Sequence, residues 1–123
     1  MSKKNELLTN AANIIYEEGI QKLTIEYVAE KSNLTKGGVL YHFDTKANLL
    51  YEMNKMAIHK FESLWETYRS QLSGSAVFTR SYALATLDFF NNREKALLPA
   101  VFISSLEDER SFMLWKETSN KWE

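Results

Sequence analysis

A chain of 123 residues, 45% of them apolar, has the material for one packed domain or a small domain with an extension, and no apolar run approaches membrane-spanning length. With no cysteine there is no disulfide, thiol nucleophile or thiolate metal site, and the N-terminus MSKKNELLTNAA lacks the apolar core of a signal peptide, so a cytoplasmic setting without membrane association is expected. The net charge is −1, and residues 1 to 50 carry six lysines (3, 4, 22, 31, 36 and 46) against six acids, so any basic surface must come from placement and not from total charge.

The first predicted element is a helix from about Ser2 to Glu18. Leu7, Leu8, Ala11, Ile14 and Ile15 recur at steps of three and four, which gives one buried stripe, and Gly19 ends it. Lys3 and Lys4 stand in its first turn, where cations oppose the helix dipole; that suits either a nearby phosphate or a frayed terminus. A second helix is predicted from about Ile25 to Lys31, with Ile25, Val28 and Ala29 inward and Glu26 suited to the dipole. Tyr27 has no assigned role. The small side chain of Ala29 allows a neighbouring helix to cross closely.

Thr24 and Thr35 are matching helix starts, because a threonine oxygen accepts a hydrogen bond from an otherwise unpaired N–H of the first turn. Each is preceded by a leucine with a valine five residues on (Leu23 and Val28, Leu34 and Val39), the spacing of a hydrophobic staple. Between them Ser32-Asn33-Leu34 makes a tight turn, for which asparagine accepts left-handed dihedrals at low steric cost. Helix, tight turn and helix in this spacing form a helix-turn-helix, from Thr24 to Lys46.

The third helix, about Lys36 to Phe43, points Val39 and Phe43 inward and leaves Lys36, Leu40 and Tyr41 on other faces. Gly37 and Gly38 each cost a helix roughly 1 kcal/mol relative to alanine, so either backbone must approach something closely there or the helix start is loosened. The helix spans about 12 Å, comparable with the width of a DNA major groove. As chemistry, Lys36 suits a phosphate or the O6 and N7 of guanine, Thr35 serves as cap and donor together, and Leu40 can touch only an apolar group such as a thymine methyl. The Tyr41 hydroxyl suits a phosphate. His42 can donate to a phosphate or to a carbonyl, and two isolated histidines, His42 and His59, make no metal site.

A fourth helix starts at Asp44 or Thr45 and runs to about Leu72, its stripe formed by Leu50, Met53, Ala57, Phe61, Leu64, Tyr68 and Leu72 over about 40 Å. His59 and Glu62 share a face, more in the manner of a surface hydrogen bond than of a ligand pair. After the loop Ser73-Gly74-Ser75 a helix is expected from about Ala76 to Asn91 with Phe78, Tyr82, Ala85 and Phe89 inward. Another follows from roughly Arg93 to Ser105, bent or restarted at Pro99, and a last from Glu107 to about Lys121 with Phe112, Trp115 and Trp122 on one side. Of 16 aromatic residues, 11 lie beyond residue 60, so they either pack as core or line a pocket for a flat, apolar effector; the candidate lining is Phe61, Trp65, Phe89, Phe102 and Trp115.

The run LTKGGVLYHF from Leu34 to Phe43, followed by the capped helix at DTKANLL, resembles the N-terminal DNA-binding domain of the TetR family of bacterial transcriptional repressors. The likeness covers about Lys3 to Leu50 and rests on Thr24, Ala29, Lys36, Gly37, Tyr41, His42, Phe43 and Lys46 at the family's spacing. Leu40 stands where many members have a second aromatic, and Asn33 replaces the usual turn glycine. The resemblance implies phosphate contacts by Thr24, Lys36, Tyr41, His42 and Lys46, Gly37 against the DNA, Phe43 in the core, and Lys46 docking the start of the fourth helix on a phosphate. It also implies an all-α fold in which a three-helix helix-turn-helix domain (residues 1–47) joins through the long fourth helix to a helical effector-binding and dimerisation domain (residues 48–123). Members usually carry further helices, the last two pairing with a partner subunit, so this chain is expected to be a piece of a longer regulator with an incomplete second domain, ahead of the alternative of a small variant whose family body is cut short.

Nothing in the sequence supports an enzyme: there is no Walker-type glycine loop and no histidine or carboxylate cluster with ligand spacing. The expected function is a homodimeric repressor on double-stranded DNA with a near-palindromic operator, released by a small apolar or aromatic effector and needing no cofactor or metal. The alternative is a helical interaction module that keeps the fold and has lost the operator.

Overall fold

The computed structural model describes residues 2–93 and 95–122, the side chains of residues 92 and 93 excepted. Seven α-helices follow one another, with no strand among the described residues: α1 (Lys3–Glu18), α2 (Ile25–Lys31), α3 (Lys36–His42), α4 (Lys46–Gln71), α5 (Val77–Asp88), α6 (Leu97–Glu107) and α7 (Glu109–Trp122). A 3₁₀ turn at Ile20–Lys22 links α1 to α2, and a π-helical turn at Phe89–Arg93 follows α5. The helix-turn-helix fold class expected from the sequence is what forms.

The first four helices begin the same way. Ser2, Thr24, Thr35 and Thr45 each adopt an extended backbone, and each side-chain oxygen accepts from the N–H three residues on, at 3.0–3.1 Å. α1 stops at Gly19, whose φ of 96° is costly for any residue with a Cβ and whose N–H closes on the Ile15 carbonyl. Asn33 takes the left-handed φ of 56° that turns α2 into α3, and the Leu34 N–H reaches back to the Ala29 carbonyl at 2.9 Å. Leu23, Val28, Val39 and Phe43 are buried beneath these starts, with Leu34 packed against them. Phe43 itself lies one residue past α3, in extended backbone, as the cap of that helix.

α4 is the element against which the rest is assembled: α1, α5, α6 and α7 all pack on it, and α6 packs on α1 as well. One hydrophobic core therefore runs without interruption from Leu7 through Met53 and Trp65 to Val101. The inward face of α4 is Leu49, Leu50, Met53, Asn54, Ala57, Ile58, Phe61 and Trp65, so Trp65 takes the central place expected for Leu64, which is only partly buried.

The polar groups that this packing buries are tied to one another. Asn54, fully buried, donates to the Leu50 carbonyl (2.7 Å) and to Ser104 Oγ of α6 (3.0 Å), and its Oδ1 accepts from the Trp115 indole of α7 (2.7 Å). The Trp65 indole donates to Ser81 Oγ of α5 at 2.9 Å, and the Trp122 indole to Glu62 at 2.9 Å. Among the described residues no buried side-chain polar atom lacks a partner.

Several expectations for the second half are corrected. α5 ends at Asp88, and its buried positions are Ser81 and Ala85; Ser81 accepts from the Trp65 indole, while Phe78 and Tyr82 pack edge-on against the Trp65 ring and stay partly open to solvent. α6 begins at Leu97, not Arg93, so Pro99 falls in its first turn, where an N–H has no intrahelical acceptor and its loss causes no break. In α7, Trp115 and Trp122 pack on the core but Phe112 is exposed. Glu62 bonds to Trp122 and not to His59.

Candidate nucleic-acid interface

α3 is pinned from below and bare above. Val39 and Phe43 anchor its inner side, while Lys36, Gly37, Leu40 and Tyr41 are exposed and His42 is half-buried. Tyr41 is 86% exposed, a degree that packing cannot account for in so large an apolar ring. Among the described residues its only ring neighbour is His42, edge-on at 5.0 Å. The carbon skeleton of this patch thus presents a ring, a leucine and a strip of backbone to solvent.

The two glycines differ. A Cβ on Gly38 would stand 3.4 Å from Thr35 Oγ1 and 3.6 Å from Leu34 Cβ, ordinary contact with the cap and the staple beside it. A Cβ on Gly37 would meet nothing nearer than Thr35 Oγ1 at 3.9 Å, so the folded chain itself gives no reason for glycine there. Gly37→Ala is accordingly expected to raise the stability of the free protein by about 0.5–1 kcal/mol. If this face meets a duplex, the same change is expected to weaken that binding about tenfold, through overpacking against a close backbone approach. Thermal melting and a gel shift on the same variant check the opposed signs; unchanged DNA affinity would return Gly37 to the status of a loosened helix start.

Thr24, Thr35 and Thr45 accept with their oxygens, which leaves each hydroxyl hydrogen free to point outward as a donor. Thr45 was not among the residues expected from the sequence, although its cap position ahead of Lys46 was legible. Lys46 opens α4, is exposed, and has no ion-pair partner among the described residues. Lys36 is held: its Nζ lies 3.0 Å from Glu26 Oε1 at the start of α2. The hydrogen bond from Lys36, then Glu26's own backbone N–H and the Lys36 charge, hold the Glu26 carboxyl below the usual carboxylate range. No helical periodicity links these two, since the turn between α2 and α3 separates them, and the pairing was not foreseen.

Two further residues of the head prove to be braces. Tyr27 donates to Glu18 at 2.7 Å, which pushes its hydroxyl pKa up, and so ties α2 to α1. Lys4 bonds Glu52 of α4 at 3.3 Å and lies 5.7 Å from the Phe43 ring centre, a structural tie and not a frayed end. Lys3 pairs with Glu6 at 3.4 Å.

The expected effector residues are only partly brought together. Phe61, Phe89 and Trp115 line an apolar cavity of about 230 Å³ with Ala57, Tyr82, Thr86, Leu98 and Trp122. Trp65 stands behind it, its ring 6.1 Å from that of Phe61. Phe102 does not line it: it is exposed and lines an adjoining surface groove with Phe90, Leu106 and Phe112, which meets the cavity at Leu98 and Trp115, because α6 turns Val101 and Ser104 inward. Of the lining residues not expected from the sequence, Tyr82 and Trp122 are the aromatic ones. Among the described residues no group of three or more His, Cys, Asp or Glu is placed to hold a metal, and no helix is long and apolar enough to cross a membrane.

Comparison with known proteins agrees with this geometry. Residues 7–53 match the family model described as bacterial regulatory proteins, tetR family. The chain is 30% identical over 53 residues to the "Probable acrEF/envCD operon repressor" of Escherichia coli (strain K12), a match covering 43% of this chain and 24% of that protein. In structure it is similar to the multidrug binding protein EbrR complexed with imidazole (TM-score 0.70, 14% identity, 99% of this chain and 67% of that one). It is also similar to a TetR-family transcriptional regulator from Marinobacter aquaeolei VT8 (TM-score 0.68, 19% identity, 98% and 59%). The chain thus spans about a quarter of the curated repressor and about two thirds of the structural relatives. Residues 7–53 thus carry the amino-terminal pattern of the tetR family of bacterial regulatory proteins, and the described chain has the fold of the solved structures it is similar to.

Proposed function

We propose that the protein is a transcriptional repressor that binds operator DNA in the cytoplasm and is released by a small apolar ligand. The observation that carries the reading is the outer face of α3, where an 86% exposed Tyr41 stands beside Leu40 and the open backbone of Gly37. α3 enters the major groove. Thr24, Thr35, Tyr41, His42 and Lys46 meet phosphates, Gly37 and Gly38 admit the duplex closely, and Lys36 and Leu40 face base edges. Residues 1–47 act as the reading unit and residues 48–123 as the regulatory and dimerising one. One seven-residue helix meets too few bases for useful selectivity, so two subunits bind a near-palindrome with half-sites about 34–36 Å apart or a multiple of that.

The test is a salt titration of DNA binding. Lys46→Ala is expected to lower the slope of log affinity against log salt by about one unit, because one phosphate contact and its released counterion are lost. An unchanged slope would remove Lys46 from the interface.

The cavity between α4, α5 and α7 takes the effector; that EbrR is described as a multidrug binding protein supports a ligand of this kind. α4 begins at Lys46 and carries Ala57 and Phe61 of the cavity wall, so one rigid rod touches both sites. Ligand and operator affinities should then depress each other by the same factor. Tryptophan fluorescence of the full-length dimer, titrated with apolar compounds with and without operator, reads this; equal affinities would end the coupling while leaving the DNA reading intact. The pairing of Lys36 with Glu26 favours a second reading, a helical interaction module without an operator, and the same salt titration excludes it if specific binding is found.

A further inference from the structure

Building on the DNA-binding reading above, we infer that Glu26 and Lys36 act as one unit that reads a single cytosine·guanine pair in the major groove. The Glu26 carboxylate accepts from the cytosine amine, and the Lys36 ammonium donates to guanine O6.

The pair joins the first turns of α2 and α3 across the tight turn, with Glu26 Oε1 3.0 Å from Lys36 Nζ. Both side chains are more than half exposed, 62% and 59%, and an ion pair so exposed contributes little to stability. It is also a poor phosphate ligand. A carboxylate at 3.0 Å cancels most of the attraction of the ammonium and itself repels the phosphate. A base edge is a better match. A carboxylate can only accept, and the donors in the major groove are the exocyclic amines of cytosine and adenine.

Of the two, cytosine fits. The adenine amine is flanked by the N7 acceptor, which repels a carboxylate, whereas the cytosine amine is flanked by a C–H. In a C·G pair the amine N4 and the carbonyl O6 are already bonded to each other at about 2.9 Å, nearly the separation of the two protein atoms. Glu26, the amine, O6 and Lys36 therefore close a ring of four hydrogen bonds with donors and acceptors alternating. Gly37, where a Cβ would meet nothing nearer than Thr35 Oγ1 at 3.9 Å, gives the base-pair edge room beside Lys36.

The experiment is selection of bound duplexes from a randomised library by the full-length wild type, Glu26→Ala, Glu26→Gln and Lys36→Met, with melting curves as controls for folding. The wild type is expected to select one C·G pair per half-site with about fivefold or greater preference. Glu26→Ala should lose that preference, Lys36→Met should lose it at the same base pair, and Glu26→Gln should move it toward adenine, whose N6 and N7 a glutamine can grip together. All variants should melt with the wild type. If Glu26→Ala raises affinity on every sequence alike and leaves the selected bases unchanged, Glu26 is only a brake on Lys36 and the inference is overturned while DNA binding stands. If the wild type itself selects no sequence, the DNA-binding reading falls and this inference with it.

Discussion

Replacing Phe43 with alanine is expected to destabilise the protein by about 3–5 kcal/mol, more than any change on the outer face of α3. The ring is fully buried in the common core, and it caps α3 where the chain turns toward α4. Lys4 of α1 lies over it while bonded to Glu52 of α4, so removing the ring undermines the seam of three helices at once. Phe43→Leu, which keeps most of the volume, should cost much less, about 1 kcal/mol. Because the loss acts on folding, DNA affinity should fall by the same factor on every sequence, whereas Leu40→Ala should alter preference among sites. Chemical denaturation and gel shifts on two unlike duplexes separate the two cases. A Phe43→Ala protein as stable as the wild type would mean that α3 is not held from beneath in the way described.

Asn54→Leu is the second substitution with a large expected cost, about 2–4 kcal/mol, although leucine has nearly the right volume for the site. The change leaves the indole N–H of Trp115 unpaired and removes the amide donor to Ser104 Oγ, whose own hydroxyl still donates to the Val101 carbonyl. The penalty comes from a desolvated group left unpaired, so it should shrink when the partner is removed too. Adding Trp115→Phe to Asn54→Leu is expected to recover about 1–2 kcal/mol. Strict additivity of the two changes in a denaturation double-mutant cycle would show that the indole and the amide do not act together. Since Trp115 also lines the cavity, any ligand that shifts its ring must act on this bond and hence on α4.

Much of the amino-terminal half could be read from local sequence because its determinants are local. Thr24 and Thr35 cap their own helices, Gly19 and Asn33 each supply the one backbone conformation their turns need, and the leucine-valine staples lie five residues apart. Such interactions span less than two helical turns, so spacing alone exposes them. The exposed placement of Lys36, Leu40 and Tyr41 followed from the same periodicity, since the buried partners Val39 and Phe43 fix the rotation of α3. Periodicity could not reveal partners distant in the chain. Which of Leu64 and Trp65 would face inward, why Ser81 and not Tyr82 is buried, and where Phe102 and Phe112 point were all decided by contacts with other helices, including the bonds that indole and amide groups make there. Glu26 was legible only as a helix-start acid; its pairing with Lys36 exists because the turn at Asn33 brings two helix starts together, and a contact made by folding one element onto another leaves no periodic mark in the sequence.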